Sequence, residues 1–569
     1  MNKRENSQTS ILQQSRFYRH LSTPALILLT VLFFLPLLII LSKAFMDENS
    51  RLTLSNIKVL FTDTQVYRVI SFTLLQAAVS TLGALMIGLP GSYILSHYEF
   101  RGKKLIRAIS VIPFVLPSIL IVLGFVIFFG NSGILNVVLM RLFSLEEPPF
   151  KILYTFNAII LAHSFYNFPI VLSIVSNFWS LLPVKMNQAA STLGAKRFKV
   201  FLTITLPRLI PAIISASTLV FLFCFSSFAI LLVLGGGPRF TTIEVDIYQK
   251  ARLTGDIQGA SAMAVLSIII ALVLVAIYSY TQQRMSNSEE LDSGKNTLQS
   301  NRHLSSPAGR ICVALYTVFT SLFVLGPLLS IVYRSFFASA SRTAKMTFSL
   351  QNYRKLFESF SSVPAQTFQS LVNSLVIAAL SSFTAIIFAT MLSSRLVTST
   401  KKKQFSLEIF AMLPMAVSSV ILGLGYYIVS LYTSRIGISK MVLVILAHVV
   451  ITSPFVLRTL LPSYRRIPFT YRQSSLTLGA SVAKTFILIE LPLLKGAIAT
   501  SAAFAFAISM GELNATLALA DSSIVTVPLV LYRLIGSYNF ASSCALGTIL
   551  MVICLLVFAV LEFFKKEEV

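Results

Sequence analysis

Twelve apolar stretches of about 20 residues punctuate this chain, near 24–43, 69–95, 106–129, 153–177, 209–235, 260–282, 311–333, 368–393, 406–432, 441–461, 493–520 and 542–564. About 20 helical residues cross the roughly 30 Å hydrocarbon core of a bilayer. Backbone N–H and C=O groups find no water there, so only helices and closed barrels span it. The runs are continuous rather than alternating, which argues against a barrel. Only 12% of the 569 residues are charged, against about 25% in soluble domains. The expected class is an all-α polytopic membrane protein with about 12 transmembrane helices.

A net charge of +25 suggests a nucleic-acid partner until the charges are placed. The clusters Lys103-Lys104, Lys196-Arg197-Lys199, Lys401-Lys402-Lys403 and Arg465-Arg466 fall in inter-span segments on the same side as the N-terminus. That asymmetry follows the positive-inside rule. It predicts a multi-pass protein with both termini cytoplasmic, whose surroundings are lipid and not nucleic acid. Cys224, Cys312, Cys544 and Cys554 all fall in predicted spans without metal-ligand spacing, and read as small packing residues. Residues 1–23 are polar and no A-x-A-like site follows the first apolar run, so that run reads as a retained anchor.

The chain repeats itself. "ILAHSFYNFPIVL" (160–172) returns as "ILAHVVITSPFVL" (445–457), and "STLGAKRFKVFLTITLP" (191–207) as "LTLGASVAKTFILIELP" (476–492), both at an offset of 285. Tyr248 matches Tyr532 at 284. The reading is two six-helix halves, 1–281 and 310–569, joined by a polar cytoplasmic linker, 282–309, without a packing pattern. Six spans per half give both the same orientation, a parallel repeat about an axis along the membrane normal.

The loops 187–207 and 472–492 follow the pattern x-A-A-x3-G-x9-I-x-L-P, with Ser-Ser for Ala-Ala in the second. Ala189, Ala190, Ser474 and Ser475 are small enough for a short helix to lie close against a partner. Gly194 and Gly479 suit helix stops with positive φ, and Pro207 and Pro492 suit the first turn of the next span. This pattern resembles the EAA loop of ATP-binding-cassette (ABC) importer permeases. Fused chains with two such loops are similar to the permeases of the thiamine and ferric-iron importers. "FCFSSFAILLVLGGGPRFTTIEVDIYQ" (223–249) resembles the thiamine type most.

The resemblance implies a type I importer permease fold in a bacterial inner membrane. It implies two copies of an ATPase subunit docked on the cytoplasmic loops, through Gln188, Ala189, Ala190 and Gly194 in one and Gln473, Ser474, Ser475 and Gly479 in the other. Gln188 and Gln473 stand where the family usually has Glu, so the loops keep hydrogen bonding and lose charge. A solute-binding protein on the outer side would deliver the cargo. No G-x-x-x-x-G-K-[ST] occurs. The chain therefore reads as a non-enzyme with no cofactor of its own, with ATP and magnesium held by the partner.

Glu512, in "AISMGELNATLALA" (507–520), reads as the one acid well inside a span. A charge at the bilayer centre costs at least about 2.5–3.5 kcal/mol, so such a residue faces the protein interior or a water-filled path. Ser509, Glu512 and Thr516 are spaced to share one helix face. By the 285 offset their first-half equivalents are Cys224, Ser227 and Leu231, so the acid is one-sided. Two readings stand side by side. In one, Ser509, Glu512, Asn514, Thr516 and Ser227 line a passage that favours a cation, thiamine or ferric iron. In the other, Glu512 is structural. His163 and His448, at matching positions, read as helix-packing residues; a metal role would favour iron. Pro169 and Pro454 read as kinks, Phe225 and Phe228 as packing. Glu244, Asp246 and Arg239 read as outer-loop charges. An ion-coupled secondary transporter is the rival mechanism, and ATP-dependent uptake separates the two.

Overall fold

The computed structural model describes residues 2–47, 49, 51–182, 184–235, 238–292, 302–303, 307–338, 347–357, 362–434, 437–521 and 524–566. Among them, ten helices are long and apolar enough to cross a membrane, and twelve segments qualify when each of two bent pairs counts once. All twelve overlap the apolar runs. The bent pairs are Ser406–Ala416 with Ser419–Thr433, at 85°, and Val482–Leu493 with Lys495–Gly511, at 69°.

The segment expected to be an unpacked linker is partly ordered. The helix Ile257–Asp292 runs well into it. Arg302 and His303 pair in parallel with Tyr98 and Glu99, and the next helix starts at Pro307. Residues 293–301 and 304–306 lie outside the described residues.

Each half uses the same packing. In the first, Thr64–His97 lies along Phe156–Leu181, and Leu206–Phe225 packs on both; Ser362–Thr398, Lys440–Arg466 and Lys495–Gly511 repeat the arrangement in the second. The first helix of each half crosses to the other. Asn2–Ala44 packs on Ser362–Thr398 and Ser419–Thr433, while Pro307–Phe336 packs on Lys103–Val115 and Ser118–Phe129.

Glycine permits this exchange. A Cβ at Gly124 would stand 3.0 Å from the carbonyl oxygen of Pro327, and one at Gly425 2.7 Å from Pro36 Cβ. Each crossing helix thus presses a proline against a glycine of the half it visits. Pro36 has no N–H, so the carbonyl of Leu32, one turn earlier, loses its helical donor. The Tyr426 hydroxyl, from the other half, donates to that carbonyl at 2.8 Å. A polar group that helix geometry abandons inside a membrane becomes a cross-half hydrogen bond. Arg252 adds another tie, donating to the carbonyl of Ala520 at 2.6 Å with its guanidinium 4.7 Å from the Tyr427 ring centre.

Gly425→Val is expected to destabilise the assembled chain by about 1–3 kcal/mol, the usual cost of overpacking. Gly536→Ala, where nothing lies within 4 Å of an added Cβ, is the control. Thermal unfolding in detergent should show a lower midpoint for the first and little change for the second.

Candidate functional site

Four helices break at the centre of the molecule. The breaks are Leu116-Pro117, between Lys103–Val115 and Ser118–Phe129; Ser226–Phe228, between Leu206–Phe225 and Ala229–Leu234; Leu413–Ser418, between Lys401–Met412 and Ser419–Thr433; and Glu512-Leu513, between Lys495–Gly511 and Asn514–Leu519. The first and third are equivalent, as are the second and fourth. Irregular backbone survives at membrane depth only when buried in protein or lining a cavity. Here both hold. A Cβ on Gly511 would meet Pro117 at 2.8 Å and one on Gly423 would meet Ala515 at 2.7 Å, so breaks from different segments interlock. Between them lies a cavity of ≈ 230 Å³. Ser118, Ser227 and Phe228 line it from the first half, and Ser419, Glu512 and Asn514 from the second.

Glu512 reaches this wall by a different route from the expected one. Ser509, Glu512 and Thr516 do not share a continuous helix face. The helix stops at Gly511, Glu512 is extended (φ −73°, ψ 107°), and a new helix starts at Asn514. The half-buried carboxylate turns back to accept from the Ala515 backbone N–H at 2.9 Å, as a cap does for the orphan amides of a first turn. The Ser419 hydroxyl also bonds the carboxylate and accepts from Asn514 Nδ2 at 2.9 Å.

Ser509 and Thr516 are buried away from the cavity wall. They hold His448, with Nδ1 at 2.8 Å from Ser509 Oγ and Nε2 at 3.0 Å from Thr516 Oγ1. Ser381 donates to Ser509 Oγ at 2.8 Å. His448 is thus a packing residue, as expected. His163, also expected to be a packing residue, is different: it lines the cavity, as does Asn167, which sequence reasoning passed over. Phe225 is buried, and Phe228 is buried with its ring edge-on to Tyr248 at 5.3 Å.

Glu244 corrects another expectation. It is no outer-loop charge: it is fully buried on the short helix Ile243–Tyr248. Ser267 of the first half donates to its carboxylate at 3.0 Å, and Ser418 of the second at 2.5 Å. A six-residue helix of alternating apolar and acidic residues is too short to register as a span, which hid it. Asp246 is also largely buried and pairs with Lys250 at 3.0 Å, while Arg239 is exposed over the Phe240 ring.

The two matched loops fold alike. The helices Val184–Thr192 and Phe469–Thr477 stop before Gly194 (φ +81°) and Gly479 (φ +84°). Ala195 N–H donates to the Ala190 carbonyl at 3.1 Å and Ala480 N–H to the Ser475 carbonyl at 3.1 Å, a Schellman closure in each. One wide turn follows, Phe201–Thr205 or Phe486–Glu490, and then Pro207 or Pro492 within the first two positions of a helix. Gln188, Ala189, Gln473 and Ser474 are exposed and Ala190 half-buried. Ser475 turns inward, with its hydroxyl 2.9 Å from Thr485 Oγ1. The residue before each glycine was overlooked: Leu193 is 88% exposed and Leu478 87%.

The loops differ in what anchors them. Under the second, Arg472 and Glu490 form a buried ion pair at 2.6 Å. Tyr18, from the first helix of the chain, donates to Glu490 at 2.6 Å, and Tyr464 donates to the other carboxylate oxygen. By the 285 offset the first loop has Asn187 and Thr205 there, with Thr205 Oγ1 3.5 Å from Asn187 Oδ1.

Residues 82–287 match the family described as binding-protein-dependent transport system inner membrane component. The thiamine transport system permease protein ThiP of Haemophilus influenzae is 26% identical over 510 residues, covering 89% of this chain and 90% of that protein. Its Escherichia coli namesake is 27% identical over 510 residues, 88% of this chain and 89% of that one. The "Putative 2-aminoethylphosphonate transport system permease protein PhnU" of Salmonella typhimurium is 30% identical over 259 residues, 46% of this chain and 90% of that protein. Among solved structures, a chain from a bacterial ABC transporter involved in the import of the acidic polysaccharide alginate aligns with TM-score 0.39 and 17% identity, covering 50% of this chain and 99% of that one.

Breaking one partner of a buried ion pair costs about 3–5 kcal/mol. Arg472→Asn or Glu490→Thr alone should therefore lower the unfolding midpoint and speed proteolysis of the second loop. The double variant, which copies the first loop, should recover much of that loss in a double-mutant cycle.

Proposed function

Because the chain belongs to the family of binding-protein-dependent transport system inner membrane components, we propose that it is the importer subunit through which thiamine passes inward, by way of the central cavity beside Glu512. The observation that carries this reading is the pair of loops, 187–207 and 472–492, which repeat one backbone and present Leu193 and Leu478 at their tips. Two equivalent exposed loops fit two copies of one ATPase subunit. A solute-binding protein docks at the opposite face. With the basic loops inside, both termini are cytoplasmic. ATP and magnesium belong to the ATPase; this chain catalyses nothing itself.

The mechanism is alternating access. Closure of the ATPases draws the loops together, and the helices that follow Pro207 and Pro492 carry that motion to the breaks at Ser226–Phe228 and Glu512-Leu513. The cavity then faces outward to accept cargo, and reset after hydrolysis opens it inward. Thiamine has a permanently charged thiazolium, and the cavity offers one carboxylate, an imidazole and amide groups. Ferric iron is the alternative cargo. Among the described residues no group of three or more His, Cys, Asp or Glu could hold a metal ion, and the polar set at the cavity suits an organic cation better.

ATP-dependent uptake of labelled thiamine and labelled ferric iron, in vesicles holding this chain with its ATPase and binding protein, tests the cargo. Thiamine accumulation is expected; iron accumulation alone would overturn the choice. Glu512→Gln should slow thiamine uptake severalfold at limiting substrate while ATPase association stays intact. Gly194→Asp and Gly479→Asp place a side chain at positive φ, strained by about 1–2 kcal/mol, and set a charge beside the exposed leucine. Each should weaken co-purification of the ATPase, as should Leu193→Asp and Leu478→Asp. Undiminished association with normal uptake would remove the docking assignment.

A further inference from the structure

The two halves set a histidine at the same position of the same span and then treat the two rings differently. His448 has both nitrogens occupied, by Ser509 and Thr516. His163 has Ser80 Oγ at 3.1 Å from Nδ1 and no partner at Nε2. The repeat explains why: the equivalent of Thr516 is Leu231, which has no hydroxyl. The His163 side chain is almost wholly buried, at 1% exposure. Leaving a buried polar atom unpaired costs about 1–3 kcal/mol, so an occupant that supplies a donor there is favoured.

Asn167, one turn along the same helix, repeats the situation. Its Nδ2 donates to the His163 carbonyl at 2.9 Å and to Cys224 Sγ at 3.4 Å, which fixes the orientation of the amide. Its Oδ1 has no partner, although the residue is 1% exposed. From the second half, Asn514 uses Nδ2 on Ser419 and leaves Oδ1 unpartnered. All three residues line the same cavity as Glu512.

The chemistry of this set is one-sided. Amide oxygens and a carboxylate only accept; the His163–Ser80 contact fits either tautomer, and in the one whose Nδ1–H donates to Ser80 Oγ, Nε2 accepts as well. Serine and tyrosine hydroxyls line the same cavity and can donate or accept, but the unpartnered oxygens and the one carboxylate favour a ligand that brings donors and positive charge.

We propose that the cavity is a binding site, not only a passage, for a small organic cation bearing N–H donors. Its acceptors are His163 Nε2 and Asn167 Oδ1 in the first half, and Asn514 Oδ1 and Glu512 in the second. This rests on the transport reading above.

The test is equilibrium binding of labelled thiamine to the full-length chain and its ATPase in lipid nanodiscs, without the solute-binding protein. Saturable binding of one thiamine per complex is expected. His163→Leu and Asn167→Leu should each weaken it by about tenfold, the scale of one hydrogen bond, whereas His163→Gln, which keeps an acceptor, should bind nearly as the natural chain does. A thiamine analogue with a carbonyl in place of the pyrimidine amino group should compete about tenfold more weakly against the natural chain, and lose that handicap in His163→Leu. A merely structural histidine would leave the handicap unchanged. Co-purification of the ATPase reports assembly; should His163→Leu not assemble, Asn514→Leu carries the same expectation from the other half. A complex that imports thiamine yet shows no such binding, or binds it equally after His163→Leu, overturns the site and leaves the transport reading standing. A complex that does not import thiamine removes the reading beneath it.

Discussion

A helix that breaks inside a bilayer exposes backbone groups that lipid cannot satisfy. Among the described residues four such breaks meet at the cavity, and much of the architecture answers to them. They are gathered at one place, sealed against one another by Gly511 on Pro117 and Gly423 on Ala515. Their freed backbone is met by side chains: Glu512 on Ala515, Ser418 on Ile421. The crossing of each first helix into the opposite half closes the ring around them. The cavity is what remains where backbone could be satisfied without being filled.

The repeat supplied a symmetric frame, and substitution made it asymmetric. Where the second half has Glu512, the first has Ser227; where it has Thr516, the first has Leu231; where it has Arg472 and Glu490, the first has Asn187 and Thr205. Glu244 has Pro528 as its counterpart at the 284 offset. The changes in the loops leave their backbone alone, since the two still close with the same hydrogen bonds and the same positive-φ glycines. Each changes what a side chain can donate or accept. One half therefore brings a carboxylate and the other an unpartnered imidazole nitrogen to a shared wall, and where one matched loop has a buried ion pair the other has a 3.5 Å hydrogen bond between Thr205 and Asn187.

Much of this was legible in the sequence. Spans follow from apolar run length, and the loops from two matched patterns in which Gly194, Gly479, Pro207 and Pro492 have positions only a helix stop and a helix start require. Glu512, Asn514 and Ser227, singled out in the sequence, line the cavity. The breaks were not legible. A run such as 493–520 is mostly apolar, and its helix stops at Gly511, where Pro117, far away in sequence, packs closely against it. The helical face drawn through Ser509, Glu512 and Thr516 failed for that reason. Glu244 was misplaced because its helix is short and its two serine partners lie on other spans. The distinction between His163 and His448 was latent in the offset, through Leu231 and Thr516. Only the folded chain shows that Thr516 reaches the His448 ring and that His163 Nε2 has no partner.

The asymmetric wall gives a meaning to the covalent join between the halves. Two separate half-length chains with such similar packing would be free to pair like with like. One pairing would set two acids across the cavity and the other none. Translation as a single polypeptide fixes the partnership at the ribosome: every assembled channel receives one half of each kind, in a one-to-one ratio that no shift in expression can disturb. Having secured that, the two halves were released from serving as each other's substitute, and could drift toward separate duties.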